Sequence, residues 1–205
     1  MMRGYLRSIA NSVRNFMIQG GQATPYIPCI PSITDLKARE AFLVEEVREM
    51  QMAIYNIEKA YEAGEASEVE QNTALLQEYA DALLDVIYVA VGSLANAGIN
   101  PEVQEALMQQ VVRANNNKFF NLGTKEGTIE TMTDELVKQY PDYKVEHTYD
   151  PLGNTYAVLR DPKTGKIKKP KNWIDPRSGM IEVLEKAIAL GQMNYSAGDL
   201  FRKRN

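Results

Sequence analysis

Along most of this chain apolar residues recur every three or four positions, the pattern of amphipathic helices. Leu6, Ile9, Val13 and Phe16 predict a helix over residues 5–19. Gly20-Gly21 and the prolines from Pro25 to Pro31 then predict an extended connector. A long helix follows from Thr34 to Ala63, ended by Gly64, with Leu36, Leu43, Val47, Met50, Ile54, Ile57 and Tyr61 as its apolar stripe. The next helix is predicted from Glu68 to Asn96. It is apolar almost all round between Ala80 and Leu94, as in a helix buried in the middle of a bundle. Asn100-Pro101-Glu102 supplies a capping side chain, a proline at the first helical position and an acid near the positive end of the dipole. The third long helix therefore starts there, with Val103, Ala106, Leu107, Val111 and Ala114 facing inward.

From residue 121 the texture changes. Thr131 to Tyr140 predicts a short helix, and Lys144–Tyr149, Thr155–Arg160 and Lys166–Lys168 read as short strands. The turns between them are Pro151-Leu152-Gly153-Asn154 and Pro162-Lys163-Thr164-Gly165. A last helix is predicted over 178–190, with Ile181, Leu184 and Ile188 inward, Gly191 past its end and a frayed tail. The expected fold is an all-α core, an antiparallel helical bundle with a carboxylate-rich crevice, over residues 1–120. An insertion of hairpins and a basic loop fills 121–177, and a C-terminal helix and tail fill 178–205.

Acids interrupt this pattern. Glu46 and Glu49 lie on a line beside the main stripe of their helix, with Phe42 and Ala53. Glu78, Asp81, Asp85, Tyr88 and Gly92 stack on one stripe of the next helix, with the acids Asp81 and Asp85 inside its apolar run. Each i, i+3 pair puts two carboxylates on one helical face. A single Glu-x-x-Glu is most often a solvated face. Acids inside a buried run are costly unless cations hold them, so the two pairs together predict a hard divalent metal. Oxygen-only ligands favour magnesium, with manganese as a substitute, and magnesium shares its shell with substrate phosphates, which points to nucleotide chemistry. A di-iron bundle needs Glu-x-x-His on two helices, and the sequence has no such motif.

Charge narrows the partners. A net charge of −4 and a pI near 5.2 give no general grip on nucleic acid. No apolar run is long enough to span a bilayer, and the start, Met1-Met2-Arg3-Gly4-Tyr5, lacks a signal peptide's apolar core. The single cysteine, Cys29, excludes an internal disulfide framework, fits a reducing cytoplasm and is expected to be a packing residue. Cations for a phosphate substrate are at hand in Arg113 and Lys118, which end the third long helix. Lys166 and Lys169 are further candidates, in a basic loop closed by Trp173, whose ring is suited to stack on a base. Lys168 and Lys171 read as solvated residues of the same loop.

Glu45-Glu46-Val47-Arg48-Glu49 and Glu78-Tyr79-Ala80-Asp81, in that order, resemble the Glu-Glu-x-x-Glu and Glu-x-x-Asp signature of the all-α nucleoside triphosphate pyrophosphohydrolases. This is the MazG-like and phosphoribosyl-ATP pyrophosphohydrolase-like superfamily. Arg39, the continuation Asp85-Val86-Ile87-Tyr88, and Arg113-Ala114-Asn115-Asn116-Asn117-Lys118 are similar to further parts of that pattern, as are Phe16 to Gln22 and Gly165 to Trp173. Residues 121–160 and 178–205 have no counterpart in it. The resemblance implies hydrolysis between the α and β phosphates, giving a monophosphate and pyrophosphate. It implies magnesium on Glu46, Glu49, Glu78 and Asp81, with Asp85 close by, and either Glu45 or Asp85 as an outer-sphere base. Lys118 and Arg113, with Asn115, would stabilise the phosphates, and Asn15, Phe16, Gln19 and Trp173 would meet the nucleoside. It also implies a homodimer or homotetramer. Two rivals stand beside this reading: phosphoribosyl-ATP as the substrate, and a helical interaction protein that has lost catalysis. Four intact acids disfavour the second.

Overall fold

The computed structural model describes residues 5–64 and 69–202, so the expected helix start at Glu68 and the expected fraying of residues 203–205 lie outside the described residues. Its elements in chain order are α1 (Tyr5–Gln19), α2 (Ile33–Ala63), α3 (Val69–Asn96), α4 (Pro101–Asn116), β1 (Phe119–Gly123), α5 (Glu126–Gln139), β2 (Lys144–Tyr149), β3 (Thr155–Arg160) and α6 (Pro176–Arg202). The all-α core, the small β-containing insertion and the C-terminal helix are all present. No single helix among the described residues is long and apolar enough to cross a membrane.

Local chemistry sets the helix ends. Ser32 Oγ accepts from the Asp35 backbone N–H at 3.1 Å and caps α2, while Gly64 takes the left-handed conformation (φ 75°) that ends it. Asn100 Oδ1 accepts from the Val103 N–H at 3.0 Å and caps α4. Contacts gather the chain into two compact units, one of residues up to Ala106 with the segment from Val183 onward, the other of Leu107–Glu182.

In the first unit α1 and α2 both pack on α3. Ala10, Val13 and Met17 of α1 close a core with Val91 and Ala95 of α3. Along α2 and α3, Arg39 lies beside Gly92, Glu46 beside Asp85 and Asn56 beside Glu78, so the two helices run antiparallel. The connector from α1 to α2 is laid over the end of α3. Asn96 Nδ2 donates to Ala23 O at 3.1 Å and the Cys29 N–H donates to Ala97 O at 3.0 Å. Gly98 makes this possible: its φ is +70°, and a Cβ there would sit 2.2 Å from Ile27 O.

Several expectations are corrected. The face of α2 turned to α3 carries Ala53 and Ala60, both buried, whereas Leu36, Ile54 and Tyr61 of the expected stripe are exposed. Small residues let the two long helices approach, and the larger apolar residues stand outside the contact. The run Ala80–Leu94 is not buried all round, because Leu84, Ile87 and Leu94 face outward in the single chain. Phe16 is likewise exposed, with Met17 taking the core position. Cys29 is exposed rather than packed. Helix α6 continues through Gly191 to Arg202, because that glycine is a close-approach site: a Cβ would lie 2.7 Å from Ile27 Cγ1.

The second unit is a three-stranded antiparallel sheet, order β1-β3-β2, covered by α5. Leu122, Leu136, Tyr140, Ala157 and Leu159 form its core. Strand β1 was not anticipated, α5 begins five residues before the expected Thr131, and the expected strand at 166–168 reduces to one bridge between Arg160 and Ile167.

Candidate active site

Antiparallel α2 and α3 line up their acids along one groove of the first unit. Glu49, Ala53 and Asn56 of α2 face Glu78, Asp81 and Ala82 of α3 across a crevice of about 240 Å³. The buried alanines Ala53 and Ala82 form its floor and the acids form its walls. Asn56 Nδ2 donates to Glu78 Oε2 at 3.2 Å, fixing that carboxylate with a neutral donor and leaving its charge uncompensated.

One helical turn further along, Glu46, Glu49 and Asp85 each offer a carboxylate oxygen, all within 4.8 Å of one another. Glu46 and Asp85 are half-buried and Glu49 is exposed. Burial, followed by Asp85, Glu49 and Glu45, holds the Glu46 carboxyl above the usual glutamate range. No ion pair to Glu46, Glu49, Glu78, Asp81 or Asp85 occurs among the described residues. Converging oxygens of like charge, with no lysine or arginine among them, fit a hard divalent cation. The premise that Asp81 is buried is corrected: it is exposed, and only Asp85 of the two acids in the apolar run is half-buried. On the same stripe of α3, Tyr88 meets Phe16 of α1 edge-on, ring centroids 5.9 Å apart, while Gln19 is exposed at the end of α1.

The remaining candidates belong to the second unit. Lys118 Nζ donates to Asn115 Oδ1 at 2.6 Å. Arg113 is exposed and lines a pocket of about 400 Å³ with Asn117, Phe119, Phe120 and Asn172. Trp173 Nε1 donates to Ala114 O at 2.7 Å, and the Lys169 ammonium stands 3.7 Å from the centre of its ring system. One face of the indole is thus already covered. Lys166 is exposed. Lys168 is half-buried with its ammonium 4.9 Å from the Tyr143 ring centroid, which corrects its reading as a solvated loop residue.

The family model for phosphoribosyl-ATP pyrophosphohydrolase matches residues 13–115, just over half of the chain. The chain belongs to this family. No curated protein matches its sequence significantly. Membership makes it a metal-dependent pyrophosphohydrolase acting on phosphoric anhydrides of small nucleotide substrates. The matched span of the phosphoribosyl-ATP pyrophosphohydrolase model contains both acid pairs, Asp85, Arg113 and Asn115, and it ends before Lys118 and the basic loop.

Asn56 escaped the sequence reading, because amides are common on exposed helix faces. Asn56 was within reach, because it lies seven residues after Glu49 and so shares its line along the helix.

Proposed function

We propose that this protein is a magnesium-dependent nucleoside triphosphate pyrophosphohydrolase, converting a ribo- or deoxyribonucleoside triphosphate and water to the monophosphate and pyrophosphate. The observation that carries this reading is the convergence of Glu46, Glu49 and Asp85, continued by Glu78 and Asp81 in one groove. These five carboxylates would hold magnesium, or manganese in its place. When bound, the cation draws charge from the phosphates and lowers the pKa of a water. The attacking water oxygen bonds to the α-phosphorus, the bond from that phosphorus to the α–β bridging oxygen breaks, and its electron pair leaves on pyrophosphate. The proton passes to a carboxylate at the rim of the cluster. Glu45, which lines an open hollow beside Glu49, and Asp85 are the two candidates for this role. Asn56 keeps Glu78 oriented, and Lys118, steadied by Asn115, supplies charge to the phosphates along with Arg113. Phe16, Gln19, Lys166, Lys169 and Trp173 are assigned to the nucleotide, with Trp173 offering only its uncovered face.

A second reading has support in the name of the matching family: phosphoribosyl-ATP as the substrate, cleaved at the same bond by the same acids. Incubation with each nucleoside triphosphate and with phosphoribosyl-ATP, quantifying pyrophosphate against orthophosphate, separates the two. Pyrophosphate from a subset of triphosphates is expected. Release from phosphoribosyl-ATP alone would establish the second reading, and release from neither would overturn both.

The single exposed cysteine agrees with a reducing cytoplasm as the working compartment. A homo-oligomer is proposed from α3, where Leu76, Leu84 and Ile87 are 62%, 58% and 45% exposed in the single chain. A second copy covering them would complete the burial that the apolar run calls for, and a sedimentation velocity profile of a monomer would rule this out.

A further inference from the structure

At the end of the groove beyond the acid cluster stands a cation for which the site has so far found no use. Arg39 lies seven residues before Glu46, on the same face of α2 within about 20° and about 10 Å along the axis. Its guanidinium is half-buried at the meeting of α1, α2 and α3. One amino group points at Met17 Sδ (3.7 Å) and is accepted by Gln22 Oε1. The other lies where a side chain on Gly92 would be, 3.3 Å from the Cβ position. The Phe42 ring is 6.0 Å from its central carbon. All of these neighbours are neutral. The acid whose charge it feels, Asp35, makes no ion pair with it and instead accepts from the Ser32 hydroxyl at 2.6 Å. Burial lowers the guanidinium's proton affinity and the charge of Asp35 offsets this only in part, so the fold bears a cost to keep a positive charge there without an ion pair.

A purely structural role would be served by an apolar residue, or by a partner carboxylate of which this groove has many. The sequence instead provides an amide to hold the fork and a glycine to make room for it. Fixed guanidinium forks without an internal anion suit phosphate oxygens, which they engage in bidentate fashion. The span from Arg39 to the acid cluster is of the order of a triphosphate chain.

We propose that Arg39, braced by Gln22 and seated against Gly92, is the binding residue for the terminal phosphates of the substrate, the pair that departs as pyrophosphate. This rests on the hydrolytic reading of the acid groove, but it is tested by binding and not by turnover. Inorganic pyrophosphate with magnesium is titrated calorimetrically into the wild-type protein, Arg39→Gln, Arg39→Lys and Arg48→Gln. The last removes the same charge from an exposed position of the same helix, nine residues and so half a rotation away from Arg39. Arg39→Gln is expected to weaken pyrophosphate about tenfold or more. Arg39→Lys, which keeps the charge and loses the fork, should fall in between and guards against misfolding of the first variant. Arg48→Gln should change affinity less than twofold. Equal losses in Arg39→Gln and Arg48→Gln, or no pyrophosphate binding by the wild-type protein, would overturn the assignment. If Arg39-dependent binding persists in a protein that hydrolyses neither a nucleoside triphosphate nor phosphoribosyl-ATP, the anion site stands and the hydrolytic reading falls.

Discussion

Glu49→Gln is expected to reduce kcat for pyrophosphate release by about a hundredfold or more, while the metal-free protein becomes more heat-stable. Among the described residues Glu49 alone belongs both to the tight oxygen cluster with Glu46 and Asp85 and to the crevice wall with Glu78 and Asp81. An amide of the same shape keeps the packing and removes the charge that a hard cation needs, and losses of this size follow even the weakening of groups that orient metal ligands. The stability gain has a separate cause. Glu49 is one of the charges that raise the Glu46 carboxyl, so neutralising it relieves repulsion that the empty site must bear. Turnover at saturating magnesium and melting in a chelator read the two effects independently. Glu58→Gln, an exposed acid two and a half turns further along α2, should change neither. A variant that lost activity and also melted lower would show Glu49 to be a structural residue.

The second large effect couples pH, metal and stability. Glu46 holds its proton more tightly in the folded protein than in the unfolded chain, because burial, Asp85, Glu49 and Glu45 all raise it. A raised acid destabilises the fold fully above its folded pKa, and the penalty fades as pH falls toward its unfolded value. Glu146, Asp150, Asp161 and Asp175 act in the opposite sense. Their carboxyls are held low by hydrogen bonds from neighbouring side chains and backbone amides, so their stabilisation is present at neutral pH and lost on acidification. The Glu46 contribution is therefore isolated by difference. Without metal, Glu46→Gln should melt higher than wild type at pH 7, and the gap should close as pH falls into the ordinary glutamate range. With magnesium the order at pH 7 should reverse, because the cation takes over the work of the proton and stabilises only the protein that binds it. A gap independent of both pH and magnesium would mean that Glu46 does not belong to a metal site.

Much of the helical core could be read from the sequence, because its ends are written in local chemistry. Gly64 and Asn100-Pro101 placed two helix ends within one residue. The rotation of α2 could not be read in this way. Apolar residues lie on more than one of its lines, and the line that packs is the one with alanines, where close approach matters more than side-chain size. Strand β1 was missed because it follows α4 after only two residues, and Phe119-Phe120 read as a continuation of the segment before it. Gly191 shows the same ambiguity in reverse. A glycine after an apolar stripe signals a helix end, but here it is a point of contact with Ile27 inside α6.

At the site, the i, i+3 spacing and the stripe through Asp85 were enough to nominate the acids, since charges repeated at helical spacing on an apolar helix have few other uses. Which of them converge depended on the register of α2 against α3. That register brings Asp85, rather than Glu78 or Asp81, into the tightest group. Gln22 sits in a connector without periodicity and reaches Arg39 only because the connector crosses the end of α3.

If these acids direct water to the α-phosphorus of a nucleotide, the fate of the water's oxygen shows it most directly. The reaction is run in water enriched in heavy oxygen with magnesium and the best substrate of the panel, and the products are read by phosphorus NMR. The label is expected on the nucleoside monophosphate, with unlabelled pyrophosphate and no reaction in the chelated protein. Label appearing in orthophosphate or in pyrophosphate would place the attack on another phosphorus and contradict the proposed reaction.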